Sequence, residues 1–336
     1  MNIRESMEQR ELELLNPYAA HSLHSKGRER QEEECDVRTV YQRDRDRILH
    51  CKAFRRLKDK TQVFLAPQGD HYRNRLTHTL EVSQIARTIA KALRLNEDLV
   101  EAIAYGHDLG HTPFGHAGEG ALNQVNPDGF AHYKQSVRVV QVLEKNGEGL
   151  NLTWEVRDGI LNHRTSGNPS TLEGQVVRFS DKIAYIHHDM DDAQRAGIIT
   201  EDDIPITLRM LLGYTTRERL NTFVHDIIEN SLEKDTIQMS SEIEEALMEL
   251  RTLMFRNVYN NPVAKKEELK AVKMLSELYE YYIEHPEAMS REYRDLIFFG
   301  GEKQSQVVCD YLSGMTDQYS MEKFREIYIP KAWEVY

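Results

Sequence analysis

The stretch Gly106-His107-Asp108-Leu109-Gly110-His111-Thr112-Pro113-Phe114-Gly115-His116-Ala117-Gly118-Glu119 is where the chain concentrates its chemistry. Three histidines, an aspartate and a glutamate lie within the 13 positions from His107 to Glu119, although 14 His in 336 residues would put fewer than one in such a window. Neutral imidazoles and carboxylates that converge on one point make a site for a divalent cation. His107 and Asp108 are neighbours, and on an ideal helix they would diverge by about 100°. At a fraying helix end both can turn to one ion, and further ligands must come from elsewhere in the chain.

The sequence on either side is helical by its periodicity. Arg75–Leu95 reads as a helix with Leu76, Leu80, Ile85, Ile89 and Leu93 as its apolar stripe and His78 on its polar edge. Asn96 caps a second helix, with Glu97 and Asp98 in its first turn, running to about Tyr105. Gly106 and Gly110 predict its end there. A third helix starts after Pro113, and His116 and Glu119, three apart, are side by side on it. Another covers about 180–196, where Asp181, Tyr185 and Asp189 share a polar face beside Ile183, Ile186 and Met190. Long helices fill much of 217–290. Strand alternation is rare, and the one candidate is Thr61–Leu65. The expected fold class is therefore all-α with little or no β.

Composition narrows the function classes. Apolar residues are 40% and charged residues 29%, enough for a sizeable core. Lys+Arg 43 against Asp+Glu 55 leaves −12, which argues against a general nucleic-acid coat protein. Residues 26–60 nonetheless carry a local +4 and residues 229–250 a local −6. Cys35, Cys51 and Cys309 form no C-x-x-C, so neither a disulfide framework nor a thiolate zinc site is expected. No apolar run is long enough for a membrane span, and the acidic N-terminus MNIRESMEQRELELL is not a signal peptide. The expectation is one globular unit, 1–336, in a reducing cytoplasm.

The order His78 … His107-Asp108 … Asp181 resembles the HD superfamily of metal-dependent phosphohydrolases. The string HDLGHTPFGHAGE is similar to one branch of it, the deoxynucleoside triphosphate triphosphohydrolases, or dGTPase-like proteins. FRRLKDKTQVF at 54–64, RLTHTLEV at 75–82, FSDKIAYIHHDMDD at 179–192 and VCDYLSGMTDQY near the C-terminus agree with it. The resemblance implies an HD-domain helical bundle at about 50–200, and a helical C-terminal extension at about 201–336 that completes the site and an oligomer interface. It implies metal ligation by His78, His107, Asp108 and Asp181. This donor set suits Mn, Fe, Co, Ni or Zn, and Mg less comfortably. The implied reaction is hydrolysis at the α-phosphorus of a dNTP, releasing a deoxynucleoside and inorganic triphosphate.

The resemblance also supplies roles. His116 is the acid/base, Glu119 orients it, and His111 assists catalysis at the phosphates. Arg75, Lys182, Tyr185, His132 and Arg256 contact the phosphates, and Gln62 and Asp189 grip the sugar. His163, in LNHRT, is a candidate without a role, and Tyr259 sits three residues from Arg256. Family members assemble as homo-oligomers, tetramers or hexamers, and some take an activating dNTP at a subunit interface. Two other readings stay open: a generic HD nucleotide phosphatase or phosphodiesterase, and a nucleotide-sensing or single-stranded nucleic-acid-binding protein with weak turnover, which the +4 segment favours.

Overall fold

The computed structural model describes residues 2–62 and 72–331, apart from the side chains of 262–264. Among these residues the regular structure is helical, and the sole β-like pairing is an isolated antiparallel bridge between Thr61 and Asn74. The strand candidate Thr61–Leu65 thus contributes that bridge at Thr61, while its residues 63–65 lie outside the described residues.

The helices that position the site are α1 (Val40–Leu49), α2 (Arg75–Ala92), α3 (Glu97–Gly106), α4 (Gly115–Val125), α5 (His132–Arg138), α6 (Trp154–Asn162) and α7 (Leu172–Arg195). They are followed by α8 (Ser241–Met254), α9 (Pro262–Glu284), α10 (Gln304–Ser313) and α11 (Asp317–Tyr328). Local chemistry explains the key starts. The Asn74 side chain caps α2 by accepting from Thr77 N, Asn96 caps α3 by accepting from Leu99 N, and Thr171 caps α7 by accepting from Gly174 N. α7 begins eight residues before the expected position 180, because Thr171 supplies the cap and Leu172, Val176 and Val177 are already buried.

Two apolar clusters hold the molecule. One joins Val82, Ile85 and Ile89 of α2 with Val100 and Ile103 of α3, Ile160 of α6, and Val176, Ile183 and Ile186 of α7. Each fully buried side chain of this kind contributes roughly 1.5–3 kcal/mol. The expected stripe of α2 needs one correction: Leu80 is exposed and is not part of this core. The second cluster joins Phe114 and Leu122 to Leu275 and Tyr282 of α9 and Val308 and Leu312 of α10. α4, which carries His116, therefore rests on residues far down the chain. The three cysteines are free, and no described helix is long and apolar enough to cross a membrane.

Candidate active site

α3 ends at Gly106, and His107 keeps helical angles as its C-cap. The His107 Nδ1–H donates to the carbonyl of Ala104 at 2.7 Å, which leaves Nε2 facing inward without a hydrogen-bond partner. A second-sphere carbonyl on one ring nitrogen is the usual way a ligating imidazole is oriented. His107 Nε2 lies 3.4 Å from Asp108 Oδ1 and 3.7 Å from Asp181 Oδ1. His78 Nε2, from α2, lies 3.1 Å from Asp181 Oδ1 and 4.0 Å from Asp108 Oδ2. Donor atoms bound at about 2.0–2.2 Å to one ion stand roughly 3–4 Å apart, depending on the angle between them, so the two imidazoles and two carboxylates fit a divalent cation. His78, His107 and Asp108 are buried. Burial opposes ionisation of Asp108, but His107, His111 and Arg75 outweigh it and hold the carboxyl well below its usual range. Asp181 is depressed likewise, burial being overcome by His107 and His78.

The turn after Asp108 is built on two glycines. A Cβ on Gly110 would stand 2.2 Å from Ser136 N, so only glycine lets the loop pass this close to α5. Phe114 (φ 62°, ψ 24°) and Gly115 (φ 56°) are both left-handed. This reversal launches α4 with His116 and Glu119 on one side. Glu119 is shared. It lies 3.2 Å from His116 Nδ1 and 2.9 Å from His132 Nδ1, and it also accepts from the backbone N of His132. Burial raises the Glu119 carboxyl, yet the two imidazoles overcome it and hold the group well below the usual range. His116 itself is open to the cavity, its side chain 81% exposed. His111 stacks on His132 with ring centroids 4.0 Å apart. Burial, with the charges of Arg75 and His132, pushes the His111 imidazole well down.

These groups border a cavity of about 640 Å³. Gln62, Arg75, His78, Asp108, His111, His116, His132, Asp181, Tyr185 and Asp189 line it, as do His163, Arg164, Arg251 and Tyr259. Arg75 donates to Asp108 Oδ2 at 2.6 Å and to the Thr61 carbonyl at 3.2 Å. Asp189 accepts from the Tyr259 hydroxyl. Burial pushes the Asp189 carboxyl up to about 8 against that hydrogen bond. His163 anchors Nδ1–H on the Ile160 carbonyl at 2.7 Å and sets Nε2 3.3 Å from His132 Nε2. Burial and the charges of His107 and His132 lower it to about 4.

Two expected phosphate contacts are not brought here. Lys182 is buried, packs over the Phe179 ring and points toward Glu244 at 3.9 Å. One residue along α7 from Asp181 it is rotated off the cavity face. Arg256 is exposed and does not line the cavity. Arg251 stands there in its place and donates to the Tyr185 hydroxyl at 2.8 Å. Its signal in the sequence is the i, i+4, i+8 series Arg251, Phe255, Tyr259, all three of which line the cavity.

An all-helical bundle that carries a His–Asp cluster on the wall of a polar cavity is the architecture of an HD-domain phosphohydrolase. The HD domain matches residues 75–186, and the phosphohydrolase-associated domain matches residues 237–326. The chain belongs to the deoxyguanosinetriphosphate triphosphohydrolase-like family. It is 56% identical to such a protein from Caldanaerobacter subterraneus subsp. tengcongensis, covering 99% of this chain and 98% of that one. It is 49% identical to one from Desulfatibacillum aliphaticivorans, covering 98% and 99%. A solved phosphohydrolase from Bacteroides thetaiotaomicron, 16% identical, shares the fold at a TM-score of 0.51 over 84% of this chain and 69% of its own.

Proposed function

We propose that this protein hydrolyses deoxynucleoside triphosphates at the α-phosphorus, releasing the deoxynucleoside and intact inorganic triphosphate. The observation that carries this reading is one cavity in which the His–Asp cluster adjoins His111, His116, His132 and Glu119, with Arg75 and Arg251 on its walls. A minimal phosphomonoesterase has no use for so many protonatable and cationic groups. A nucleoside triphosphate brings about four negative charges and needs them. The names of the relatives point the same way.

His78, His107, Asp108 and Asp181 would hold a divalent cation, whether Mn, Fe, Co, Ni, Zn or Mg. When bound, the ion supplies Lewis acidity and an acidified water. The other steps belong to the chain. Arg75 and Arg251 bind the phosphates through planar forks. His111, stacked on His132, faces the phosphates from the cavity wall. His116, held by Glu119, delivers a proton to the leaving 5′-oxygen. Asp189, uncharged near neutrality, and Gln62 face the sugar hydroxyls.

Incubation with each dNTP and a divalent metal, followed by anion-exchange chromatography, tests the proposal. Deoxynucleoside with intact triphosphate is the expected result. Orthophosphate as the sole inorganic product would replace it with a generic nucleotide phosphatase.

A further inference from the structure

We propose that Asp317, at the first position of α11 and outside the cavity, is a positioning residue that locks the sugar-side and acid/base-side walls of the active site to each other. Its carboxylate is buried and spends none of its capacity on its own helix, which Thr316 caps. Oδ1 accepts from Phe114 N at 3.0 Å. Oδ2 accepts from Thr61 N at 3.0 Å and from the Thr61 hydroxyl. One side chain thus binds two segments that lie 256 and 203 residues away in the sequence.

Each segment carries a functional neighbour. Thr61 precedes Gln62, and its carbonyl receives the Arg75 guanidinium. Phe114 is the left-handed residue that turns the chain so that His116 faces the cavity. A non-glycine residue persists in that conformation only where its surroundings hold it, and the Asp317 oxygen on its N–H is such a hold. The two walls are in contact, since a Cβ on Gly115 would stand 3.3 Å from Arg75 Nη2. Lys60 adds a second tie: its buried Nζ donates to the His111 carbonyl at 2.5 Å and the Ser313 carbonyl at 2.8 Å. The turn Ser313–Asp317 between α10 and α11 therefore braces the loop 111–116 from behind. The C-terminal helices contribute to catalysis through this brace.

Asp317→Asn cuts one arm of the brace with little change of volume, because the amide keeps a single acceptor oxygen and its nitrogen cannot accept from the donor on the other side. A shift of His116 by about 1 Å is enough for a hundredfold loss. Asp317→Asn should lower kcat for dNTP hydrolysis tenfold or more with KM within about threefold, at unchanged metal content. Thr61→Val should lose a smaller part of the rate. Hydrogen–deuterium exchange of the full-length, metal-loaded protein should quicken in peptides holding Thr61 and Phe114 while α2 and α3 stay protected. Asp44→Asn is the control. Asp44 is likewise a buried carboxylate that accepts from Thr153 N and Oγ1, each at 2.7 Å, and it also pairs with Arg28, with no part in the cavity lining. It should lower the melting temperature and leave kcat alone. Wild-type kcat in Asp317→Asn, or exchange that quickens evenly through the chain, overturns the proposal. The kinetic arm rests on the proposed reaction, but the exchange arm needs no substrate, so an inactive wild type would fail the reaction and leave the brace to be judged by exchange.

Discussion

Arg75 Nη1 lies 2.6 Å from Asp108 Oδ2, so a cation on α2 already compensates the carboxylate that faces the metal position. Its other nitrogen reaches the Thr61 carbonyl. A lysine keeps the charge but cannot span both acceptors with a fork. Arg75→Lys is therefore expected to raise KM for a dNTP about tenfold while metal content, read by inductively coupled plasma mass spectrometry, stays at the wild-type level. Loss of metal in this variant would mean that Arg75 serves Asp108 and not the phosphates.

The four expected metal ligands should behave as one. His78→Ala or Asp108→Ala should abolish metal binding and turnover together. Chelation should lower the melting temperature of the wild type, because a ligand at 100 times its Kd adds about 2.7 kcal/mol to stability. Asp108→Ala should melt at the same temperature with and without chelator. A chelator-sensitive melting point in that variant would place the ion elsewhere.

Glu119 touches both His116 and His132. Glu119→Gln removes the charge that both rings face and one of the two acceptor oxygens, and should cost more rate than His116→Ala, which should lose roughly a hundredfold at full metal occupancy. Equal losses in the two single variants and in the double variant would show that Glu119 acts through His116 alone. Near-normal turnover of His116→Ala would remove the acid/base assignment.

Arg251 and Arg256 separate a residue on the cavity wall from one on the surface. Arg251→Ala loses a cation of the wall and its bond to Tyr185, and KM should rise about tenfold or more. Arg256→Ala should stay within twofold of wild type. The reverse order, measured by steady-state kinetics, would restore the assignment made from sequence.

The same pair shows what sequence can and cannot convey. The helices around His78 and His107 were legible from their apolar period and, for the second, from the Asn96 cap, whereas the helix around Asp181 was read only from about 180 because its Thr171 start was missed. The placement of Tyr185 and Asp189 on the cavity followed from the 3.6-residue repeat of α7. Lys182 was misplaced because adjacency to Asp181 says nothing about facing the same way on a helix. Arg256 was carried over from the resemblance; one residue past Phe255, it falls about 100° off the series Arg251, Phe255, Tyr259 that lines the cavity. Leu80 fell on the arithmetic stripe but is exposed there. Asp317 lies in the stretch VCDYLSGMTDQY, but nothing in that stretch names its partners, which are brought to it only by the packing of α4, α10 and α11 around α9.

Glu173 gives a prediction about stability. Its Oε1 accepts from Ala20 N at 3.0 Å and Asn96 N at 2.9 Å, and its Oε2 has no hydrogen-bond partner. Burial raises the carboxyl from 4.5 to about 7, against the pull of those two amides. The folded protein therefore binds this proton more tightly than the unfolded chain. Between pH 4.5 and 7 the folded state holds more protons, so this group's contribution to stability falls as pH rises through that window and is flat above it. A shift of this size corresponds to about 3 kcal/mol at most. Glu173→Gln keeps the Oε1 acceptor and abolishes the titration. Urea unfolding at pH 5 and pH 8 should find the variant more stable than wild type at pH 8, with the gap narrowing toward pH 5. A gap independent of pH would mean that Glu173 stays ionised in the folded protein, with a cation or water supplying the partner that Oε2 lacks.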